Sequence, residues 1–109
     1  MSPKCPTIAA IQAAVAARFR VTVLDLLSAR RGVACARPRQ AAMWLCRHAT
    51  LHTLSEIGRQ FGDRDHKTVL NAIRRIDALM AEDAALADLT IGLFNSLSSL
   101  GNPNLRLVA

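Results

Sequence analysis

Apolar residues recur every three to four positions along most of this 109-residue chain, a spacing typical of amphipathic helices and not of strands. The first such segment predicts a helix from Thr7 to Arg18, with the Thr7 hydroxyl as its N-cap. A second, short helix is predicted from Thr22, because Thr22 and Asp25 have the spacing of a capping box. The side chains predicted to face the core in these two helices are Ile8, Ile11, Val15, Phe19, Val23, Leu26 and Leu27.

The segment that follows the second helix is basic and has no apolar periodicity. We expect residues 30–32, Arg-Arg-Gly, to end the second helix, and we predict a basic loop over residues 30–37. Pro38 suits the first turn of a third helix, where its missing N–H leaves no helical hydrogen bond unmade. That helix is expected to run to about His48 and to bury Ala42, Trp44 and Leu45.

The most informative pattern starts at Thr53. Thr53 and Glu56 form a second capping box, and Gly62 stands where a short helix would end in the left-handed conformation. Asp65 is then placed to cap a longer helix over about residues 66–80. A short helix, a glycine turn and a long helix are typical of a helix-turn-helix motif. The predicted core residues of the motif are Ile57, Phe61, Val69, Ala72, Ile73, Ile76 and Leu79 or Met80, and those on the opposite face of the long helix are Lys67, Thr68, Asn71, Arg74 and Arg75.

A last helix is predicted from Asp83 to about Leu100, with Gly101 as its stop. We expect it to cover the core, with an exposed part as an alternative partner surface, and we expect a loose tail over residues 101–109. Its apolar face consists of Leu86, Leu89, Ile91, Leu93, Phe94, Leu97 and Leu100. The chain is therefore predicted to be one all-α domain over residues 1–109: a compact bundle of five to six helices with a helical core over about residues 7–100.

The composition favours helices, and the distribution of charge indicates a binding partner that carries phosphates. Aromatic residues make up 4% of the chain and hydrophobic residues 51%, which suits closely packed helices better than a sheet. Residues 18–75 include twelve basic and four acidic side chains, which give this region a net charge of +8. Residues 76–109 have a net charge of −3. Such a basic region favours binding to phosphates, and arginine in particular favours bidentate contacts. The alternative is a basic surface that only faces solvent.

Other classes of function find little support in the sequence. The three cysteines are widely spaced without a C-x-x-C pair, which argues against disulfides and zinc ribbons and fits a reducing cytoplasm. Cys46, His48 and His52 are close in sequence and could suggest a metal site. We expect a helix to end between the two histidines, which would keep them off a shared face. No phosphate-binding loop, nucleophile motif or apolar run of membrane-spanning length is present. We expect no enzymatic activity, nucleotide, metal, cofactor or membrane contact.

Two segments together resemble a known family. Residues 36–40 read Ala-Arg-Pro-Arg-Gln, and residues 57–72 read Ile-Gly-Arg-Gln-Phe-Gly-Asp-Arg-Asp-His-Lys-Thr-Val-Leu-Asn-Ala. Both motifs, at this spacing, resemble the C-terminal DNA-binding domain of the bacterial replication initiator DnaA, and the likeness extends from about Ile8 to Leu100. The resemblance implies a helical, Trp-repressor-like domain whose helix-turn-helix binds the duplex element called the DnaA box. It also implies a place in the bacterial cytoplasm, on the nucleoid.

The resemblance also implies roles for particular residues. Arg31 matches an arginine that this family inserts into the minor groove, where a narrow A/T-rich groove concentrates negative potential. The base contacts we expect come from Arg31, Leu54, Asp65, His66, Lys67 and Asn71. The backbone contacts we expect come from Arg37, Arg39, Gln40, Arg47, Thr50, Ser55, Thr68, Arg74 and Arg75. The alternatives are a core histidine at His66 and solvated surface groups at the other positions.

The chain departs from the family pattern at four positions. Asp63 replaces a glycine, Lys67 a threonine, Asn71 a histidine, and Val33 a basic residue of the loop. Lysine can donate to guanine or phosphate and asparagine can pair with adenine, so the preferred site is expected to shift. We expect a natural stand-alone domain, with a domain excised from a longer protein as the alternative. We expect it to compete with the full-length initiator at its sites or to regulate replication. The alternatives are an interaction module that has lost DNA reading and antagonises the initiator, and a transcription regulator.

Overall fold

The computed structural model describes residues 6–28 and 32–101, and it leaves out the side chains of Val33 and of residues 98–101. The described part is helical and contains no strand, which confirms the all-α prediction. The six helices are α1 (Ile8–Phe19), α2 (Val23–Leu27), α3 (Val33–Ala49), α4 (Leu54–Arg59), α5 (His66–Glu82) and α6 (Ala84–Gly101).

The first two helices begin where the capping residues predict. The Thr7 hydroxyl accepts a hydrogen bond from the Ala10 amide at 3.0 Å, and α1 ends at Arg20, which adopts the left-handed conformation with φ 59°. At α2, the Thr22 hydroxyl accepts from the Asp25 amide, and the Asp25 carboxylate accepts from the Thr22 amide, both at 3.0 Å. The predicted capping box is therefore confirmed.

The predicted start of α3 was wrong. The helix begins at Val33, so Pro38 lies inside it and residues 33–37 are not a loop. The Gly32 carbonyl accepts from the Cys35 and Ala36 amides at 2.9 and 2.8 Å, which closes the first turn. Pro38 removes one helical hydrogen bond. Losing this one bond costs less than leaving the apolar side chains of α3 exposed to water. Residues 30 and 31 of the predicted loop lie outside the described residues.

Helix α3 forms the centre of the bundle. It packs against α1, α2, α4, α5 and α6. Its six consecutive residues from Ala41 to Cys46 are all buried, so this part of the helix is enclosed on every side. The predicted burial of Ala42, Trp44 and Leu45 is confirmed. The Trp44 indole also donates to the Asp77 carboxylate at 2.7 Å and thereby joins α3 to α5.

Helices α4 and α5 form the predicted helix-turn-helix. Thr53 and Glu56 make both bonds of their capping box, and Gly62 adopts a φ of 76° in the turn. Asp63 also lies in the left-handed region, with φ 61°. The two helices approach closely at Gly58, where an added Cβ atom would lie 2.0 Å from the Arg64 carbonyl oxygen. Glycine is required here because of this contact.

Helix α6 covers the core, as predicted, through contacts with α3, α5 and α1. Leu86, Leu93, Phe94 and Leu97 are buried. The Asp83 carboxylate accepts from the Leu86 amide at 3.1 Å and caps the helix. The predicted tail after Gly101 and the side chain of Leu100 lie outside the described residues. Among the described helices, none is long and apolar enough to cross a membrane.

The two capping carboxylates of the helix-turn-helix make stability depend on pH. The backbone hydrogen bond at Thr53 lowers the pKa of Glu56, and the bond from the Thr68 amide lowers the pKa of Asp65. A carboxylate whose pKa is lower in the folded state stabilises fully above its ordinary value, near 4, and loses that contribution as the pH falls through the folded pKa. We expect the urea midpoint, measured by circular dichroism, to be lower at pH 3 than at pH 6.

The Asp65→Asn variant is the matched control, because asparagine also caps a helix but does not titrate. Its urea midpoint should fall less between pH 6 and pH 3 than that of the wild type. Equal losses in both proteins would show that the charge of Asp65 does not contribute.

The close approach at Gly58 predicts a large cost for a single methyl group. Because the Cβ atom of Gly58→Ala would overlap a backbone oxygen, we expect the free energy of unfolding to fall by about 2 kcal/mol or more. Gly92→Ala is the control, since a Cβ atom there meets nothing within 4 Å and alanine favours a helix by about 0.8 kcal/mol. Urea unfolding of both variants measures the difference, and equal stabilities would contradict the prediction.

Candidate nucleic-acid interface

One face of α5 presents a dense set of polar and basic side chains to solvent. Val69, Ala72, Ile73 and Ile76 are buried against the bundle, as the helical spacing predicts. The exposed residues are His66, Lys67, Thr68, Asn71, Arg74 and Arg75. Since the side chain of His66 is exposed, the core-histidine alternative for this position is wrong.

Asp65 lies at the start of this face and is the N-cap of α5. Its carboxylate accepts a hydrogen bond from the Thr68 amide at 2.9 Å, and it is exposed. That bond is the first cause of the lowered pKa of Asp65, with smaller contributions from His66 and Lys67. The carboxylate therefore remains charged at neutral pH and satisfies a backbone amide in the first turn of α5.

A groove of about 430 Å³ lies between α3 and α5 and brings together residues that are distant in sequence. Three arginines and no acidic residue line it, so its potential is positive. Five residues predicted to contact DNA line this groove: Arg39, Gln40, Thr68, Asn71 and Arg75. The groove is therefore continuous with the exposed face of α5.

The predicted contacts on α4 and at the end of α3 differ in exposure. Ser55 and Arg47 are exposed. Leu54 is half-buried and packs against the core, so only part of its side chain faces solvent. These side chains are on the surface or at its edge, which is compatible with contacts to a duplex.

Arg39 and Thr50 have partners within the protein. Arg39 is 7% exposed and donates from Nε to the Leu26 carbonyl at 2.8 Å and from Nη2 to the Asp25 carbonyl at 3.0 Å. Burial, and then the charge of Arg64, lower the pKa of Arg39. Thr50 is also 7% exposed, and its hydroxyl donates to the Cys46 carbonyl at 2.6 Å at the end of α3.

Sequence reasoning missed Arg64. Its side chain donates from Nη1 to the Phe61 carbonyl and, at 2.5 Å, from Nη2 to the Ser28 carbonyl. Burial lowers the pKa of Arg64. Ser28 is 36 residues away in sequence, so no local pattern could have indicated this contact.

The basic segment before α3 is described only in part. Arg31, predicted to enter the minor groove, lies outside the described residues, as does the side chain of Val33. Arg37 is half-buried in the first turns of α3. Its Nε atom is buried and has no hydrogen-bond partner among the described residues.

Cys46 is buried in the core, and His48 packs on Trp44. The described residues contain no group of three or more His, Cys, Asp or Glu that could hold a metal ion. His48 packs on Trp44 with ring centroids 4.3 Å apart, while His52, beyond the end of α3, lies 3.4 Å from the Glu56 carboxylate. Burial raises the pKa of Cys46 to about 12, so this thiol stays protonated and is a poor nucleophile.

Comparison with known proteins identifies the fold. Residues 8–76 match the family model described as the bacterial DnaA protein helix-turn-helix. The chain is similar to the chromosomal replication initiator protein DnaA of Caulobacter vibrioides, with 58% identity over 81 residues, which cover 74% of this chain and 16% of that protein. It is 52% identical to the DnaA protein of Rhodopseudomonas palustris over 86 residues, which cover 79% of this chain and 18% of that protein.

The chain thus spans less than a fifth of the length of these relatives. The matched region contains α1 to α4, the glycine turn and most of α5. The chain therefore belongs to the bacterial DnaA helix-turn-helix family, a family of DNA-binding domains.

Proposed function

We propose that this protein binds double-stranded DNA with a preference for a DnaA-box-like site and places α5 in the major groove. The observation that carries the proposal is the exposed face of α5, on which six polar or basic side chains lie opposite a buried apolar stripe. A helix of this kind fits the major groove, and its first turns reach the base edges.

Base reading is assigned to the N-terminal half of α5. Asp65, His66 and Lys67 occupy its start, where a recognition helix meets the bases end-on. Asn71, one turn further along, is exposed and can pair with adenine through its amide. The exposed part of Leu54 is suited to an apolar contact with a thymine methyl group.

Backbone contacts are assigned to the residues that surround α5. Gln40, Thr68 and Arg75 line the positive groove, where a phosphate would approach three guanidinium groups. The remaining side chains assigned to phosphates are Arg37, Arg47, Ser55 and Arg74. Arg39 and Thr50 are given a supporting role in this proposal, since their polar atoms bond to carbonyls of the protein itself.

The minor groove is assigned to Arg31 on the strength of the family resemblance. Arg31 falls in the sequence between α2 and α3 and lies outside the described residues. A protein that reads both grooves in this way would compete with the full-length initiator for the same sites or regulate replication at them.

The first test compares binding to two duplexes. We expect fluorescence anisotropy to show tighter binding to a labelled DnaA-box duplex than to a scrambled duplex of equal length. With about five phosphates neutralised, the logarithm of the binding constant should fall against the logarithm of the salt concentration with a slope of about −4 to −5. A slope near zero would contradict DNA binding, and equal weak binding to both duplexes would favour a protein partner.

Lys67 provides a second test, because it is exposed and stands where the family pattern has threonine. Lys67→Thr should reduce the steepness of the salt slope by about 0.9, the value of one phosphate contact, and change the base preferred next to it. Arg59→Thr is the control that removes one positive charge beside the start of α1, outside the proposed interface. The role of Lys67 is wrong if its variant and the control have the same slope and the same preferred site.

A further inference from the structure

Gln12 is a polar side chain in the buried stripe of α1. Its neighbours in that stripe are Ile8, Ile11, Val15 and Ala16, and Gln12 itself is 7% exposed. Glutamine is mostly found on protein surfaces, because an amide taken out of water without a hydrogen bond costs free energy. A glutamine in this place therefore needs a partner inside the protein.

The partner of Gln12 is a backbone carbonyl of the helix-turn-helix. The Gln12 Nε2 atom donates to the Gln60 carbonyl oxygen at 2.8 Å, across 48 positions of the sequence. Gln60 is the C-cap of α4. The carbonyls at the end of a helix have no partner within that helix and need one from elsewhere. Gln12 thus joins α1 to the end of α4 that leads into the glycine turn.

Helix α4 needs contacts of this kind because it is short. It has six residues, and a helix of this length is not stable in isolation. The capping box at its start is made by its own first residues and by its N-cap, so it does not fix the helix relative to the bundle. Ile57 and Phe61 are buried and hold the apolar side of this segment on the core. The tilt of α4 on that core depends on its contacts with neighbouring elements.

Two such contacts lie near the end of α4 and come from different elements. The Gly58 carbonyl accepts from the Arg64 amide at 2.8 Å, and a Cβ atom added at Gly58 would lie 2.0 Å from the Arg64 carbonyl oxygen. Gln60, two residues further along, is bonded to Gln12 of α1. A short helix can tilt about a single close contact, whereas a second contact with another element restricts that tilt.

The other end of α4 carries two of the proposed DNA contacts. Leu54 and Ser55 lie in its first turn. At about 1.5 Å per residue, they are about 8 to 9 Å from Gln60 along the helix axis. A change of tilt at Gln60 therefore displaces both side chains relative to the start of α5, which is assigned to the major groove.

We infer that Gln12 is a positioning residue for DNA binding: through the Gln60 carbonyl it fixes the tilt of α4 against α5 and thereby places Ser55 on the duplex backbone. The inference rests on the proposed function, in which Ser55 contacts a phosphate and α5 reads the bases. The two helices of a helix-turn-helix contact one duplex together, so both sets of contacts form only if the angle between the helices suits the DNA. Gln12 is buried and acts without touching DNA.

The test is a double-mutant cycle on binding to the DnaA-box duplex, measured by fluorescence anisotropy. Gln12→Met removes the donor and keeps the length of the side chain. Gln60→Ala is the matched control, because it removes a side chain at the same contact but keeps the carbonyl that accepts the bond. In the wild type and in Gln60→Ala, we expect Ser55→Ala to weaken binding by about fivefold or more, as for a lost hydrogen bond to a charged group. In Gln12→Met, the same substitution should weaken binding by less than about twofold, because Ser55 is no longer held at the phosphate.

Lys67→Ala separates positioning from a general loss of structure. Its effect should be the same, within about twofold, with and without Gln12→Met, since Lys67 lies on α5 itself. A general loss of structure would reduce the effects of both Ser55→Ala and Lys67→Ala, and that result would overturn the positioning role. Thermal unfolding of each variant is measured first. If Gln12→Met does not fold, Gln12→Asn replaces it in the cycle, with a smaller coupling expected because the shorter amide keeps a weakened bond.

The failure of this inference and that of the proposed function give different results. If Ser55→Ala weakens binding equally in the wild type and in Gln12→Met, the positioning role is wrong while the proposed function stands. If Ser55→Ala has no effect in the wild type while Lys67→Ala does, the phosphate contact of Ser55 is wrong, and the positioning role fails with it. If the wild type does not bind the duplex, the proposed function itself is wrong.

Discussion

The enclosure of α3 is the constraint on which the other parts of the molecule depend. Every other described helix packs against it, and its middle turns bury six consecutive residues. Each large apolar side chain buried in this way contributes about 1.5–3 kcal/mol to the stability of the fold. The surrounding helices are therefore held in place by the apolar side chains that they pack against α3. The exposed face of α5 has a defined orientation because the opposite face of the same helix packs on this core.

The elements that the sequence predicts best are those with local causes. Thr22 with Asp25, and Thr53 with Glu56, satisfy backbone groups within four residues, so their spacing alone indicates where α2 and α4 begin. The exposed side of α5 follows from helical periodicity in the same way. The family resemblance then added roles for residues such as Arg31, which periodicity cannot supply.

The features that the sequence could not predict depend on long-range contacts. Pro38 suggested a helix start, whereas the structure places it inside α3. The burial that offsets the lost hydrogen bond comes from helices elsewhere in the chain, and no local pattern shows it. Arg39 was expected on the DNA surface, since its charge is visible in the sequence but its bonds to the carbonyls of α2 are not. Arg64 drew no attention for the same reason, as its partner Ser28 is 36 residues away.

Trp44 gives the molecule a spectroscopic property that follows from its place in the fold. It is the one tryptophan of the chain, and the chain has no tyrosine, so the ultraviolet emission of the protein is dominated by a single indole. Its indole donates to Asp77 of α5 and its ring contacts His48 and Phe94. Changes in the packing between α3 and α5 therefore alter the surroundings of the one tryptophan, so the protein carries its own optical label for them.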